Sequence, residues 1–279
     1  MSKTVLITGC SSGIGLCLAE GLHTRGYRVF ASARKPEDVQ SLVSKGLEAV
    51  QLDLDSSESI NHACDEIVRL AGGRVDALIN NGAYGQPGAV ADLSRDALRQ
   101  QFETNLFGTQ ELTNRILPLM RAQGHGRIIQ VSSLLGYVSF AYRGAYNASK
   151  YALEALSETM RLELRDTNIH VCLVEPGPVV SRFRDNAYQA YLDNIDRQNS
   201  AYREFYAGLE QRLEGKKGKM PFTLPPEAVL DKVVHALEAS KPRIRYPVTL
   251  PAHFFLIMRR LLPYRWLEHL LYLSGDRNR

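Results

Sequence analysis

The chain has 279 residues, of which 44% are hydrophobic and 23% charged, and its formal net charge is +4. These values are typical of a globular protein with one large α/β domain or two small ones. The small, dispersed charge argues against a nucleic-acid partner. Arg259 and Arg260 interrupt the strongest candidate for a membrane span, so none is predicted.

Short β-branched, apolar runs alternate with longer segments whose apolar residues recur every three or four positions. The runs predict strands and the longer segments predict helices. The six predicted strands are residues 4–8, 27–33, 47–52, 75–80, 127–132 and 169–175. Asp55, followed three residues later by Glu58, is the predicted cap of the helix after the third strand. The alternation predicts an α/β fold, a doubly wound parallel sheet with helices on both faces.

The pattern changes after residue 180. Residues 181–225 are polar and aromatic, include the run EGKKGK, and predict a mobile insertion that adds no layer to the sheet. Pro225 and Pro226 precede a further predicted helix. The tail from Pro251 predicts two short amphipathic helices separated by Pro263.

The cysteines and histidines carry no recognisable site. Cys10, Cys17, Cys64 and Cys172 are widely spaced and form no CxxC pair. Each lies in or beside an apolar run, which predicts reduced, buried thiols in a cytoplasmic protein. A strand-like run begins at Thr4, so no signal peptide is predicted. The seven histidines lack metal-ligand spacing, and no metal site is predicted.

The segment TGCSSGIG, residues 8–15, lies between the first predicted strand and helix. Its glycines permit a tight turn and a close approach of a pyrophosphate to the start of the helix. The spacing GxxxGxG differs from GxGxxG, and the Lys-Ser/Thr of a P-loop is absent from the segment. Because the segment follows a strand and opens a helix within a βαβ series, it favours nucleotide binding over a simple turn.

The segment GAYNASKYALEA, residues 144–155, places Tyr146 four positions before Lys150 among small residues. Positions i and i+4 share one face of a helix. A free phenol ionises near pH ~10, and a nearby ammonium favours the phenolate. The pair is therefore a candidate general acid and base. Taken alone, the pair favours the simpler interpretation, in which two residues merely share a helix surface.

These two motifs together resemble the short-chain dehydrogenases/reductases. TGCSSGIG matches the TGxxxGIG turn of that family, and YNASK matches its YxxxK signature. The resemblance covers roughly the first two-thirds of the chain. Within the family, the CSSGIG and EPGPV segments are most similar to the branch that acts on hydroxysteroids, retinol and lipophilic aldehydes.

The resemblance implies roles for four catalytic residues. Tyr146 would protonate the carbonyl oxygen, or act as the base in reverse, and Lys150 would lower the pKa of Tyr146 and hold the nicotinamide ribose. Ser133, rather than Ser132, would orient the substrate oxygen. Asn105 would hold a water in the proton relay, and without the resemblance it could equally be a polar residue that kinks a helix.

The resemblance also implies a cofactor site. Asp53 would bind the adenine amino group, and Asn81 would lie near the adenosine ribose. NNGAYG departs from the usual NAG, which puts the backbone contact there in doubt. The segment 176–181 would clamp the carboxamide, although a structural turn would also explain its Pro-Gly pair. The predicted cofactor-binding residues are Gly9, Ser11, Ser12, Gly13, Ile14, Gly15, Arg34, Asp53, Leu54, Asn81, Pro176, Gly177, Val179 and Ser181.

The end of the second predicted strand indicates the cofactor. A site selective for NAD places a carboxylate there to accept a hydrogen bond from the ribose 2′-hydroxyl. This chain has Ala33, then Arg34 and Lys35. A guanidinium suits a 2′-phosphate, and Ser11 could add a hydroxyl. NADP(H) is therefore the predicted cofactor, and the alternative is that Arg34 is only a surface charge.

The substrate is less constrained by the sequence. Several aromatic residues near the predicted site suggest a lipophilic aldehyde, ketone or secondary alcohol, although each could instead be a packing residue. These residues are Tyr84, Tyr137, Phe140, Tyr142 and Tyr188. We expect residues 1–180 to form the core that binds NADP(H). Residues 181–279 would form a substrate-binding lid and C-terminal helices of the same domain.

The sequence leaves alternatives on two points, whether the chain is an enzyme and what its C-terminal tail contacts. The chain could be a catalytically silent NADPH-binding or membrane-associated scaffold, but the complete Asn-Ser-Tyr-Lys set argues against this. The apolar, Arg-containing tail could lie on an anionic bilayer, line the substrate mouth or pack in a homo-oligomer. Packing is the favoured interpretation, and a homo-oligomer is expected.

Overall fold

A computed structural model describes residues 2–214 and 221–276. Its single sheet contains seven parallel strands in the order β3-β2-β1-β4-β5-β6-β7. The strands are β1 (Thr4–Ile7), β2 (Arg28–Ala33), β3 (Glu48–Gln51), β4 (Ala77–Asn80), β5 (Gly126–Val131), β6 (Ile169–Glu175) and β7 (Arg245–Pro247). The predicted parallel sheet is confirmed, and all six predicted strands are present with ends shifted by up to two residues. The short edge strand β7 was missed.

The helices in the core of the fold cover both faces of this sheet. They are α1 (Gly13–Thr24), α2 (Pro36–Ser44), α3 (Ser57–Ala71), α4 (Arg95–Phe102), α5 (Gly108–Gln123) and α6 (Gly144–Glu163). Successive strand residues point to opposite faces. Accordingly, Val5 and Ile7 pack in the cluster that includes residues of α1 and α9 (Glu227–Glu238), whereas Leu6 packs with α3 and α5.

The start of α3 differs from the sequence prediction. Ser56, not Asp55, is the N-cap residue, and its side chain accepts a hydrogen bond from the backbone N–H of Ser59. Asp55 is one position too early in the chain. Glu58 nevertheless lies in the first turn, where its charge favours the helix dipole.

The predicted insertion contains two helices, α7 (Phe183–Asn194) and α8 (Arg203–Glu214). They are anchored to the core through Tyr206, whose hydroxyl accepts from Ala89 N at 2.9 Å and donates to Asp92 Oδ2 at 2.5 Å. Tyr191 and Tyr206 are buried. The aromatic residues thus pack these two helices against the core, whereas the polarity of the segment suggested a mobile insertion. Residues 215–220, most of the EGKKGK run, lie outside the described residues.

The two predicted tail helices are confirmed as α10 (Leu250–Leu261) and α11 (Tyr264–Asp276). Ala252 and Phe255 are buried against Tyr137 and its neighbours, and the Tyr137 hydroxyl donates to Ala252 O at 2.7 Å. Arg259 also donates to the Tyr137 carbonyl. One face of the tail therefore belongs to the packed structure.

Candidate active site

The glycine turn after β1 is closely packed. Gly9 has a φ of +70°, and a Cβ at this position would lie 2.8 Å from Gly82 Cα. A Cβ at Gly15 would lie 2.1 Å from the carbonyl oxygen of Gly9. Side chains are thus sterically excluded at both positions, and the backbone can approach a ligand at the start of α1.

Asn81 fixes this turn to the end of β4. Its side-chain Nδ2 donates to Thr8 O at 2.9 Å and to Gly9 O at 3.2 Å. The Thr8 hydroxyl accepts from Asn81 N at 2.9 Å and from Gly82 N at 2.7 Å. Because β1 and β4 are neighbours where the strand order reverses, this contact lies in the crevice where such sheets bind ligands.

The start of α1 fits a diphosphate. Its N-cap residue, Ser12, makes no side-chain capping bond, and the first turn contains no acidic residue. Ser11 is exposed, and Ile14 packs against the core. A Cβ on Gly13 would lie 2.8 Å from the Cβ of Ser181, so the segment after β6 closes this end of the crevice.

The residues predicted to bind the adenosine end follow β2 and β3. Arg34 has an exposed side chain, and its carbonyl accepts from Gln51 Nε2 at 3.0 Å. Asp53 Oδ1 accepts from Asp55 N at 3.1 Å, and Leu54 is buried. Burial and the charge of Asp53 raise the pKa of Asp55, and the Arg34 guanidinium opposes the rise. Arg34 is therefore a cation at the open edge of the crevice.

Ser133 connects the ends of β5 and β6. It caps the short 3₁₀ turn Leu134–Gly136, and its Oγ accepts from Leu135 N at 3.1 Å. The carbonyl of Pro176 accepts from Leu134 N at 2.9 Å and from Ser133 Oγ at 3.5 Å. The following segment pairs with residue 224 through a bridge between Val179 and Leu224.

Tyr146 and Lys150 lie one turn apart on α6 and point into this region. The Tyr146 ring meets the Phe183 ring edge to face, with centroids 5.2 Å apart. Lys150 Nζ lies 5.8 Å from the centroid of the Tyr146 ring and donates to Val131 O at 2.8 Å. The Ser133 hydroxyl also acts on the phenol of Tyr146 and lowers its pKa. The structure thus brings Ser133, Tyr146 and Lys150 together.

The electrostatics of this pair differ from the sequence expectation. Burial raises the pKa of Tyr146 to about 12, although the Ser133 hydrogen bond and the charge of Arg143 oppose the rise. Burial lowers the pKa of Lys150 to about 8, against the charge of Glu154. The loss of hydration is therefore the largest influence on the pKa of both groups, and it outweighs the neighbouring groups that oppose it.

Asn105 lies in a π-helical turn, Glu103–Phe107, between α4 and α5. Its Oδ1 accepts from Tyr84 N at 3.1 Å, and its Nδ2 donates to Tyr84 O at 2.9 Å and to Ser149 Oγ at 3.1 Å. Asn105 therefore fixes the loop after β4 against the first turns of α6. This geometry matches the helix-distorting alternative, and the relay water remains a prediction.

The candidate substrate aromatics separate into two groups. Phe140 shares a cluster with Tyr146, and the backbone of Tyr84 is held by the side chain of Asn105. The remaining residues are packing residues: Tyr137 under α10, Tyr142 stacked on Phe205, and Tyr188 stacked on Tyr191.

Sequence reasoning missed Phe183, Ser149 and Arg143. Phe183 lies two residues beyond the predicted Ser181, and a Cβ on Gly85 would approach it within 2.8 Å. Its position directly after the predicted clamp could have identified it. Ser149 is inside the YNASK motif, where its hydroxyl donates to Tyr146 O at 2.9 Å. No sequence signal marked Arg143, whose charge lowers the pKa of Tyr146 in the folded chain.

Comparison with known proteins agrees with this geometry. Residues 3–192 match the family model described as short chain dehydrogenase. An uncharacterized oxidoreductase of Escherichia coli (strain K12) is 44% identical over 97% of this chain and 94% of its own. Human retinol dehydrogenase 8 is 33% identical over 87% of this chain and 80% of its own. The chain therefore belongs to the short-chain dehydrogenase/reductase family and is an oxidoreductase.

A solved structure shows the same fold. The actinorhodin polyketide ketoreductase, a variant determined with NADPH, has a TM-score of 0.72 and 28% identity, covering 88% of this chain and 95% of its own. In residues 2–214 and 221–276, no helix has the length and apolar content needed to cross a bilayer. Within the same ranges, no group of His, Cys, Asp or Glu side chains could hold a metal ion.

Proposed function

We propose that the protein uses NADP(H) to transfer a hydride between the nicotinamide and a lipophilic aldehyde, ketone or secondary alcohol. The proposal depends mainly on one observation: Ser133, Tyr146 and Lys150 converge beside a glycine turn that excludes side chains. A silent scaffold would not need a phenol, a hydroxyl and an ammonium in one buried site. The retinol dehydrogenase relative and the NADPH-containing ketoreductase support the same substrate and cofactor classes.

NADP(H) is proposed because the residue after β2 is a cation. Arg34 stands where a carboxylate would select NAD, and its exposed guanidinium can pair with a 2′-phosphate. The glycine turn would hold the diphosphate together with Ser12, the N-cap residue of α1, whose side chain makes no capping bond. Residues 176–181 would lie over the nicotinamide. The dinucleotide would supply the hydride, and the protein supplies orientation and the proton.

In the direction of reduction, Ser133 would hydrogen-bond the substrate oxygen and Tyr146 would donate a proton to it. A phenol with a raised pKa is protonated at neutral pH, which is the form that this step requires. The Lys150 ammonium would stabilise the negative charge left on Tyr146. Phe183 and Phe140 would exclude water around the carbonyl.

The lipophilic substrate class can be tested with linear aldehydes of increasing length, assayed with NADPH and with NADH. Burial of one methylene contributes about 0.8 kcal/mol, so kcat/KM should rise about fourfold per added methylene until the pocket is full. NADPH should be preferred throughout. A profile that is flat with length would contradict the apolar pocket. A preference for NADH would contradict only the cofactor assignment.

An exposed apolar face remains on the tail. Four residues of α10 lie on its solvent side at helical spacing: Leu250, Phe254, Ile257 and Leu261. Since the opposite face already packs on the core, we propose that this exposed face contacts a second copy of the chain in a cytoplasmic homo-oligomer. A peripheral bilayer contact is the competing proposal.

Replacing Ile257 by Glu should then lower the oligomer mass measured by analytical ultracentrifugation. Leu162→Glu is the matched control, because Leu162 is also exposed, on α6, and the charge change is the same. An unchanged mass would contradict the oligomer contact. Flotation with anionic liposomes that is lost in Ile257→Glu alone would instead favour the bilayer.

A further inference from the structure

Four titratable side chains form a row along α6, and two of them, Tyr146 and Lys150, belong to the site already described. Tyr146, Lys150, Glu154 and Glu158 follow one another at intervals of four residues and so share one helix face. Lys150 and Glu154 are buried, with relative exposures of 3% and 5%. Glu158 lies at the outer end, where its side chain is 54% exposed. The row leads from the site to the surface.

Arg245 of β7 joins this row to the end of β6. Its Nη1 lies 2.6 Å from Glu154 Oε2, and its Nη2 lies 2.6 Å from Glu158 Oε1. The same guanidinium pairs with Glu175, which is fully buried at the end of β6. Three carboxyl groups therefore face one arginine, and two of them are buried.

Space for this cluster is provided by Gly136. A Cβ at this position would lie 2.7 Å from Ser132 Oγ and 3.0 Å from Glu154 Oε1. The cluster thus lies directly beneath the turn that begins at Ser133. Other charged or titratable neighbours of the carboxyl groups are Tyr137 and, further along α6, Arg161.

Two buried carboxyl groups on one guanidinium do not ionise independently. Burial raises the pKa of both Glu154 and Glu175, and their mutual repulsion adds to the rise for Glu175. The two carboxyl groups therefore titrate as a pair, and the Arg245 guanidinium favours the ionised form of each. Since the Lys150 ammonium lies on the same helix face as Glu154, it favours the negative charge on Glu154.

We propose that the Glu154 carboxylate, held in place by Arg245, is a positioning residue that keeps the Lys150 ammonium protonated at the pH of turnover. The inference deepens the proposed function, since it assigns the group that maintains the charge beside Tyr146. The need for such a group is plain: burial lowers the pKa of Lys150 to about 8, and the charge of Glu154 is what opposes this. Without it, burial would act on the ammonium unopposed by this charge, and the pKa of Lys150 would fall further.

The first test is the pH dependence of kcat/KM for NADPH-dependent reduction of a medium-chain aldehyde. In Glu154→Gln the alkaline limb should move to lower pH by about one unit, the effect of removing one nearby opposite charge. Glu154→Asp keeps the charge and should restore the limb toward its original position. Glu158→Gln, the matched control at the exposed end of the row, should leave it in place. A limb that moves no further in Glu154→Gln than in Glu158→Gln would overturn the proposal.

The second test does not depend on turnover, so it also stands if the proposed substrate class is wrong. Urea midpoints are measured at neutral pH for Lys150→Met, Glu154→Gln and the double variant. Glu154→Gln should lower the urea midpoint more when Lys150 is present than in the Lys150→Met background. Only when Lys150 is present does the substitution leave a buried ammonium without its counter-charge. Equal losses in both backgrounds would overturn the proposal. If Glu154→Gln does not fold alone, recovery in the double variant supports the proposal, and no recovery contradicts it.

Discussion

Tyr146→Phe is expected to lower aldehyde-dependent NADPH oxidation by at least about a hundredfold while NADPH binding is retained. A positioned general acid contributes about 10²- to 10⁴-fold, and this substitution removes only the hydroxyl. The ring keeps its edge-to-face contact with Phe183, so the shape of the site is preserved. Turnover is measured from the loss of NADPH absorbance, and binding from the change in NADPH fluorescence.

Tyr151→Phe is the matched control on the same helix. The Tyr151 hydroxyl meets Arg259 Nη1 at 3.4 Å, and the Arg259 guanidinium lies over the Tyr151 ring. This variant should retain the rate of the unaltered protein. Similar rates in both variants would show that the proton comes from another group, and loss of NADPH binding in Tyr146→Phe would show that the substitution acts on the cofactor site.

Arg34→Asp is expected to reverse the cofactor preference. A hydrogen bond to a charged group contributes about 1.5–3 kcal/mol, so losing the guanidinium should weaken NADPH binding by about tenfold to a hundredfold. The new carboxylate would repel the 2′-phosphate and accept a hydrogen bond from the 2′-hydroxyl of NADH. Dissociation constants for both dinucleotides, measured by fluorescence titration, give the ratio directly.

Lys35→Asp separates this local effect from a change in net charge. Lys35 is the next residue, its side chain is 60% exposed, and its Nζ lies 3.9 Å from Glu37. The charge change is identical, but we expect little change in the ratio of NADPH to NADH affinity. Unchanged NADPH affinity in Arg34→Asp would contradict the assignment of Arg34. Equal shifts in both variants would reduce its role to a general surface charge.

The sheet and its helices were predictable because their signals are local. Val5, Leu6 and Ile7 form an uninterrupted apolar run, as expected for a strand buried on both faces. The strand β7 was not predicted because Arg245–Pro247 has only three residues, one of them a proline, and contains no such apolar run. The packing of α7 and α8 was not predicted for a different reason: their tyrosines are polar enough to suggest a loop, yet Tyr191 and Tyr206 are buried by each other and by Asp92 and Ala89.

The site was predictable to the extent that its residues lie in continuous motifs. The turn of residues 8–15 and the Tyr146–Lys150 pair are readable because a single turn and a single helix fix their geometry. Phe183 and Arg245 come from other elements, and only the folded chain places them near α6. The direction in which the pKa of Tyr146 shifts could also not be predicted from the sequence, because it depends on burial by residues distant in sequence.

By itself, the sequence determined the parallel α/β fold, the glycine turn, the spacing of Tyr146 and Lys150 on one helix face, and the cation after the second strand. Each of these depends on side chains within one turn, strand or helix, where spacing along the chain sets spacing in space. The tertiary structure decided which groups lose their water, which carboxyl groups share Arg245, and which aromatic rings close over Tyr146. These are properties of contacts between distant segments, and desolvation exists only once those contacts have formed.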